Sequence, residues 1–252
     1  MMLKKISISI LVLLSHQTSL FGQRSYGETF RFTAQRVNLE EKVPKEEQLF
    51  FRNYLDAVVY FHGGDTISGK VNFNILLDEL VHLDRRGREQ VTAGQIDSVR
   101  FGNGVTFVFA PEQGFLERLE GGKVIGLYNR HSIKVHMEAV TQGPYGQPTR
   151  SAAVTRVRSL HAGAGPEGPD RDFYLENPEG DPIEVNVRYQ SFFLFKKETE
   201  YLQVGNRRQL FSAFPEHRQE IRAFVRANPV SFSDPGDMKN LAAFIKQLYH
   251  NP

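Results

Sequence analysis

Ala57-Val-Val-Tyr-Phe61, His62-Gly-Gly-Asp-Thr66 and Ile67-Ser-Gly-Lys-Val-Asn-Phe73 follow one another without a gap, and each has its own physical signature. The first is β-branched and aromatic, which suits a pleated, half-buried surface. The second holds two glycines and an aspartate, the residues that supply backbone freedom and local hydrogen bonds in a tight turn. The third alternates apolar and polar residues, so one face is apolar. Strand, turn and strand make a β-hairpin.

The same pattern continues downstream. Leu80-Val-His-Leu83 reads as a strand, Asp84-Arg-Arg-Gly87 as a polar turn, and Glu89-Gln-Val-Thr92 as its continuation. Ile96-Asp-Ser-Val-Arg-Phe101 alternates again, and Val105-Thr-Phe-Val-Phe109 is a further strand. Phe115 to Leu119, Gly121 to Tyr128 and Ile133 to Met137 add strands and turns, and helical periodicity is absent from 55 to 140. Short strands spaced roughly 8–12 residues apart point to an antiparallel β barrel or sandwich. Gly63-Gly-Asp-Thr-Ile-Ser-Gly69 and Gly121-Gly-Lys-Val-Ile-Gly126 echo one another, which reads as two ordinary hairpin turns.

Residues 141–172 differ in kind, punctuated by Gly and Pro and locally basic through Arg150, Arg156, Arg158 and Arg171. They are expected to be a linker, a disordered loop or a binding loop. Phe173-Tyr-Leu175 and Ile183-Glu-Val-Asn-Val187, joined by Asn177-Pro-Glu-Gly-Asp-Pro182, are expected to pair as a hairpin of the same β body. After Val204 the pattern turns helical. Asn206 is placed to cap a short helix carrying Leu210, Phe211 and Phe214, and Pro215 suits the first turn of the next, with Ile221, Phe224 and Val225 on one face. Asp234, Pro235 and Asp237 form a strong helix start, and Met238, Leu241, Ala242, Ile245, Leu248 and Tyr249 then follow helical spacing. That stripe requires burial, on the chain's own sheet or on a partner.

Upstream, residues 24–54 are polar and mixed and read as an extended arm or a short helix. Met1 to Gln23 reads as a secretory signal peptide: Lys4 and Lys5, then apolar Ile6 to Leu14, then Ser19-Leu-Phe-Gly22, with cleavage near Gly22/Gln23. At a rise of about 1.5 Å each, those apolar residues are too few to cross roughly 30 Å of hydrocarbon as a helix. The expected organisation is a signal peptide over 1–22 and an arm over 23–54. A β-rich body over 55–203, with its flexible 141–172 loop, and a helical segment over 204–252 complete it. The fold class is β-rich α+β, a β body followed by two or three C-terminal helices.

Composition narrows the function classes. With 252 residues, 40% hydrophobic and 24% charged, the chain is globular rather than disordered. The absence of Cys removes disulfides, thiol nucleophiles, Cys-ligated zinc and iron–sulfur clusters together. The 31 basic and 29 acidic residues become 29 of each once Lys4 and Lys5 leave with the signal peptide. Global charge therefore gives nucleic-acid binding no support.

The Gly-x-Ser-x-Gly, His-Glu-x-x-His and phosphate-loop patterns are all missing. His62 with Asp65 and His82 with Asp84 are the close His–Asp pairs, and a metal or general-base site would need His62 to approach His82. Polar residues at hairpin ends is the preferred reading. His131 and His136, five apart, face opposite sides of a regular strand. Glu117 with Glu120, and Glu176 with Glu179, are conceivable acid pairs but read as solvated turn charges. Phe107, Phe109, Phe192, Phe193 and Phe195 read as core. No catalytic, cofactor-binding or metal-ligating residue is assigned. Arg150, Arg156 and Arg158 are the candidate partner contacts, suited to an acidic envelope protein or an anionic, phosphate-rich polymer.

The exported N-terminus, the Gly64-Asp-Thr-Ile-x-Gly69 hairpin, the Gly122-Lys-Val-x-x-x-Leu-Tyr128 segment and the C-terminal helices together resemble uncharacterised secreted proteins of Bacteroidota. That resemblance implies an envelope location, periplasmic or surface-associated, and supplies no activity to carry over. Residues 57–101 also resemble a small SH3-like or Sm-like barrel, through the Gly-rich first hairpin and the Ile-x-x-Val close. The expected function is a non-catalytic interaction or structural module. A lipid, glycan or small-molecule binder is the alternative, and a hydrolase with an unrecognised His/Asp site is the second. A deep polar pocket with His62 and His82 would favour the enzyme, and a roomy apolar cavity the binder. A filled core with an exposed patch would favour the interaction module.

Overall fold

The 57–73 run folds as the expected hairpin, with Val59 opposite Ile67 and Leu55 opposite Val71. Gly63 and Gly64 take φ of 100° and 95° in its turn, a backbone conformation that side-chain-bearing residues resist. The computed structural model describes residues 26–32, 36–92, 94–142, 148–150, 174–176 and 183–250.

In chain order, strands β1 (Gly27–Phe32) and β2 (Arg36–Asn38) lead into single-turn helices α1 (Leu39–Lys42) and α2 (Lys45–Gln48). Seven strands follow: β3 (Leu55–Phe61), β4 (Thr66–Asn74), β5 (Glu79–Leu83), β6 (Glu89–Val91), β7 (Ile96–Phe101), β8 (Thr106–Ala110) and β9 (Gly114–Glu120). Then come β10 (Ile125–Gln142), β11 (Pro148–Arg150), β12 (Tyr174–Glu176), β13 (Ile183–Lys197) and β14 (Glu200–Gln203). Helices α3 (Arg207–Ala213), α4 (Arg218–Ala227) and α5 (Pro235–His250) complete the fold, a 3-10 turn at Pro215–His217 joining α3 to α4.

The main sheet is antiparallel and runs β1-β13-β10-β9-β8-β7-β3-β4-β5-β6, with β11 added on β10 and β14 on β13. Its two ends do not pair, so hydrogen bonding leaves it open rather than closed as a barrel. It nevertheless curls. Phe30 of β1 and Val185 and Val187 of β13 share one apolar core with Val59, Val71, Phe73 and Leu80 from the far end of the order. Phe107 at the centre of that core packs on Phe50, Phe73 and Phe101 with ring centroids 4.9–6.1 Å apart. Such tilted and edge-to-face contacts match positive ring edges to negative faces.

The spine is the β10–β13 pair, in register from Ile125 opposite Lys197 to Ala139 opposite Ile183. One face of β10 serves two cores. Ile133 and Val135 point into the curled-sheet core, whereas Ile125 and Leu127 pack under the helices with Phe195, Phe214, Leu241 and Ile245. The α5 stripe is thus buried on the chain's own sheet, and Met238, Leu241, Ala242 and Ile245 are fully enclosed. The helix starts lie where the sequence places them. Asn206 accepts from the Gln209 N–H at 2.9 Å, and Asp234 from the Asp237 N–H at 2.8 Å.

Three features differ from expectation. Tyr174–Glu176 does not pair with the Ile183–Val187 run: β12 pairs with β2 in a small separate sheet, and the Ile183 strand pairs with β10 and β1 instead. β10 and β1 take the two edges of the Ile183 strand that a local hairpin would have used. Strand β10 also continues through Thr141 and Gln142, where Pro148–Arg150 pairs back on it. The segment expected as an arm contributes edge strand β1 and the buried anchors Leu39, Val43, Leu49 and Phe51.

Candidate functional site

Where β10 passes from one core to the other, its inward face turns polar at Asn129 and His131, both buried. Glu117 of β9 lies opposite Asn129, and Tyr189 of β13 lies opposite Ile133, one step along from His131. Three adjacent strands thereby bring three side chains together. His131 Nε2 is 2.8 Å from Glu117 Oε2, and Nδ1 is 2.6 Å from the Tyr189 hydroxyl. The imidazole also lies 4.7 Å from the Phe50 ring. A carboxylate only accepts, so Nε2 carries the proton, whereas the phenol donates to Nδ1 or accepts from it according to the charge on the ring. Both nitrogens are therefore engaged inside the fold, and neither is directed at solvent. The arrangement ties three strands and leaves no ring lone pair to act on a substrate. Asn129 Oδ1 beside it has no protein partner.

A second buried polar group sits on the opposite face of β10. Arg130 Nη1 donates to Asp78 Oδ1 at 2.6 Å and to the Phe115 carbonyl at 3.0 Å, with both charged side chains 5% exposed. Asp78 Oδ1 also accepts from the Phe115 N–H at 3.3 Å. Gly114, at φ 72°, makes room for it: a Cβ there would lie 1.9 Å from Asp78 Oδ2.

A third tie joins sheet and helices at the surface. Glu216 accepts from Lys197 Nζ and from the Tyr249 hydroxyl. Partial burial works to raise the Glu216 carboxyl, but these hydrogen bonds prevail and bring it down to about 2. Burial and the bond to Glu216 push the Tyr249 phenol up to about 12.

The residues singled out by sequence are not brought together. His62 is exposed and faces Asp97 at 3.4 Å. His82 bonds Thr92 at 3.1 Å and lies opposite Val71, which lies opposite Leu55 at the other end of β3 from His62. Seven residues of strand, about 23 Å at 3.3 Å each, separate the two histidines. Asp84 instead closes its own turn, accepting from the Arg86 and Arg88 N–H groups and from the Arg88 side chain. The Arg88 backbone bond, followed by its side chain, holds its carboxyl below the ordinary range. Glu117 and Glu120 do not face one another: the first is buried on His131, and the second binds Lys246 of α5 at 2.9 Å. Arg156, Arg158 and Glu179 lie outside the described residues, as do the side chains of Arg150 and Glu176. Among the described residues no group of three or more His, Asp and Glu is placed to hold a metal ion.

Sequence reasoning passed over Glu117 and His131 as members of one site. The available signal is the interruption of an apolar alternation, Leu127, Asn129, His131, Ile133, on what proves to be one continuous strand face. It marks buried polar residues but not their partners, which come from two other strands.

A groove of about 360 Å³ lies between α4 and α5, lined by Phe224, Val230, Asn240 and Phe244 among others. Phe224 and Phe244 stack there with centroids 4.3 Å apart at 14°. Among the described residues no helix is long and apolar enough to cross a membrane. Comparison with protein-family models, with curated proteins and with solved structures finds no match to this chain.

Proposed function

We propose that the chain is an exported protein of the cell envelope that works as a non-catalytic interaction or structural module. The observation that carries this reading is the filled interior. Where a ligand-binding β body would hold a cavity, Phe50, Phe51, Phe73, Phe101, Phe107 and Phe115 interlock in the curled sheet. Its polar step is closed by mutual bonds among Glu117, His131 and Tyr189. A core filled in this way leaves recognition to the outer surface. The hydrolase reading draws no support from His62 and His82, which stand apart along the hairpin. The basic-then-apolar run from Lys4 to Leu14 and the resemblance to secreted Bacteroidota proteins support export. Fold alone assigns no activity.

The groove between α4 and α5 favours a second reading, a small apolar or aromatic ligand laid on the stacked Phe224 and Phe244 rings.

The test is to tag the C-terminus, crosslink in the source cells, and sequence the recovered protein from its N-terminus. The expected result is an envelope-fraction protein beginning at Gln23 with one reproducible envelope partner. A cytosolic chain with residues 1–22 intact overturns export. A partner-free chain that co-purifies with a small molecule overturns the module in favour of the ligand reading.

A further inference from the structure

Strand β4 is paired with β3 from Thr66 to Val71 and with β5 only from Val71 to Asn74. Among the described residues no strand pairs with the other side of the preceding run, Thr66-Ile-Ser-Gly-Lys70, and all five of its residues are exposed. Phe61 donates to the Asp65 carbonyl, and antiparallel pairing alternates inward and outward backbone groups. Asp65, Ile67 and Gly69 therefore spend their backbone groups on β3, whereas Thr66, Ser68 and Lys70 present theirs to the open side. Ile67 and Gly69 lie on the core face, continuing the row of Val71 and Phe73. Yet Ile67 is 57% exposed while Val59 opposite it is buried, and a Cβ at Gly69 would meet only open space. The core face thus extends past the point at which this molecule covers it.

The other two ends of the sheet are protected. Strand β6 is three residues long and carries Glu89, held by Tyr54 and Lys45. Strand β1 carries Glu28 and Arg31, the latter paired with Glu184. Short, charged strands are how open edges are blunted. The β4 run has no such device: its single charge, Lys70, sits at its end and is occupied by Asp56 at 2.9 Å.

We propose that this edge is where a second copy of the chain adds by antiparallel strand pairing, with the two-fold axis at Ile67. That register is self-complementary. Ile67 meets Ile67 of the other copy in a non-hydrogen-bonded pair, the geometry in which side chains approach most closely. Thr66 meets Ser68 twice in hydrogen-bonded pairs, using the backbone groups that face outward. Asp65 falls opposite Gly69, and Lys70 opposite Gly64, so no like charges oppose. An axis at Ser68 would instead set Ile67 against Gly69, which has no side chain to cover it. This inference concerns a separate surface and does not rest on the envelope reading.

The test uses sedimentation equilibrium of the purified protein, raised to high micromolar concentration, with four variants, one of them the crosslinking control Ser68→Cys. Ile67→Lys places two ammonium groups face to face at the axis. Ser68→Pro removes an outward N–H while leaving the β3 pairing intact. Ile67→Cys supplies the chain's single thiol. The expected result is a doubled mass for the native chain, the monomer mass for Ile67→Lys and Ser68→Pro with unchanged circular dichroism, and a covalent dimer on oxidation of Ile67→Cys but not of Ser68→Cys. A native monomer at every concentration overturns the proposal. So does a dimer that survives both edge variants, or crosslinking through Ser68→Cys alone.

Discussion

Asp78 holds a left-handed backbone, φ 56°, at the turn between β4 and β5, and its carboxylate reaches across to Arg130 and the Phe115 amide. That position exists only because Gly114 lacks a side chain. Gly114→Ala forces Asp78 off Arg130 or β9 out of register, and losing one side of a buried pair costs about 3–5 kcal/mol. Urea unfolding is expected to show a loss in that range, and a loss of only about 1–2 kcal/mol, the cost of a Cβ in the left-handed region alone, would refute the argument. His131 makes a parallel case. His131→Leu leaves the buried Glu117 without its partner and is expected to cost a similar 3–5 kcal/mol. Glu117→Gln keeps an acceptor for Nε2 and is expected to lose only about 1 kcal/mol. Neither pairing was legible in the sequence. Asp78 and Arg130 are 52 residues apart, and Glu117 is 14 from His131 on a different strand. Single-residue chemistry marks a charge as out of place only when its burial is known, and burial here depends on strand order.

Elements governed by local rules were readable in advance. The β3–β4 hairpin follows from alternation plus two glycines, and the starts of α3 and α5 follow from Asn206 and Asp234. Asp234→Ala removes the acceptor for the Asp237 N–H and is expected to cost about 1 kcal/mol, read as a lowered thermal midpoint. The β12–β2 pairing was not readable, because a strand's pattern states that it pairs and not with what. At the junction of helices and sheet, acid supplies a further test. Glu216 has a carboxyl lowered to about 2, against an ordinary value of 4.5. A carboxyl lowered by folding stabilises the native state above its unfolded value, and that contribution is lost as pH falls towards the folded one. The stability of the native protein should therefore decline between about pH 4.5 and 2 more steeply than that of Glu216→Gln. Identical acid profiles for the two proteins would show that the Lys197–Glu216–Tyr249 tie contributes nothing. The exposure of Glu216 and its partners keeps the effect small relative to the buried pairs.

The described residues form two large apolar cores and a smaller cluster of Ala110, Leu116, Tyr128 and Leu194, but the two large cores share one spine. The curled-sheet core and the helix–sheet core share β10 and β13 in a single unbroken register, and the polar step at Asn129 and His131 lies between them on the same strands. The helical segment therefore depends on the spine: Phe195 and Leu127, on which it packs, are held in place by strands that also form the other core. Cooperativity follows from that sharing. Unfolding the helices uncovers the inner half of the spine, and unfolding the curled sheet removes β9 from beside it. The protein is expected to melt in one transition, with helix loss by far-ultraviolet dichroism and tyrosine packing by near-ultraviolet dichroism coinciding. Phe214→Ala in the helical core and Phe107→Ala in the sheet core, each fully buried, should each cost about 3–5 kcal/mol and shift that same transition. Two separate transitions, one moved by each variant, would mean that the spine does not couple the cores. The helices would then be a module resting on the sheet rather than part of its fold.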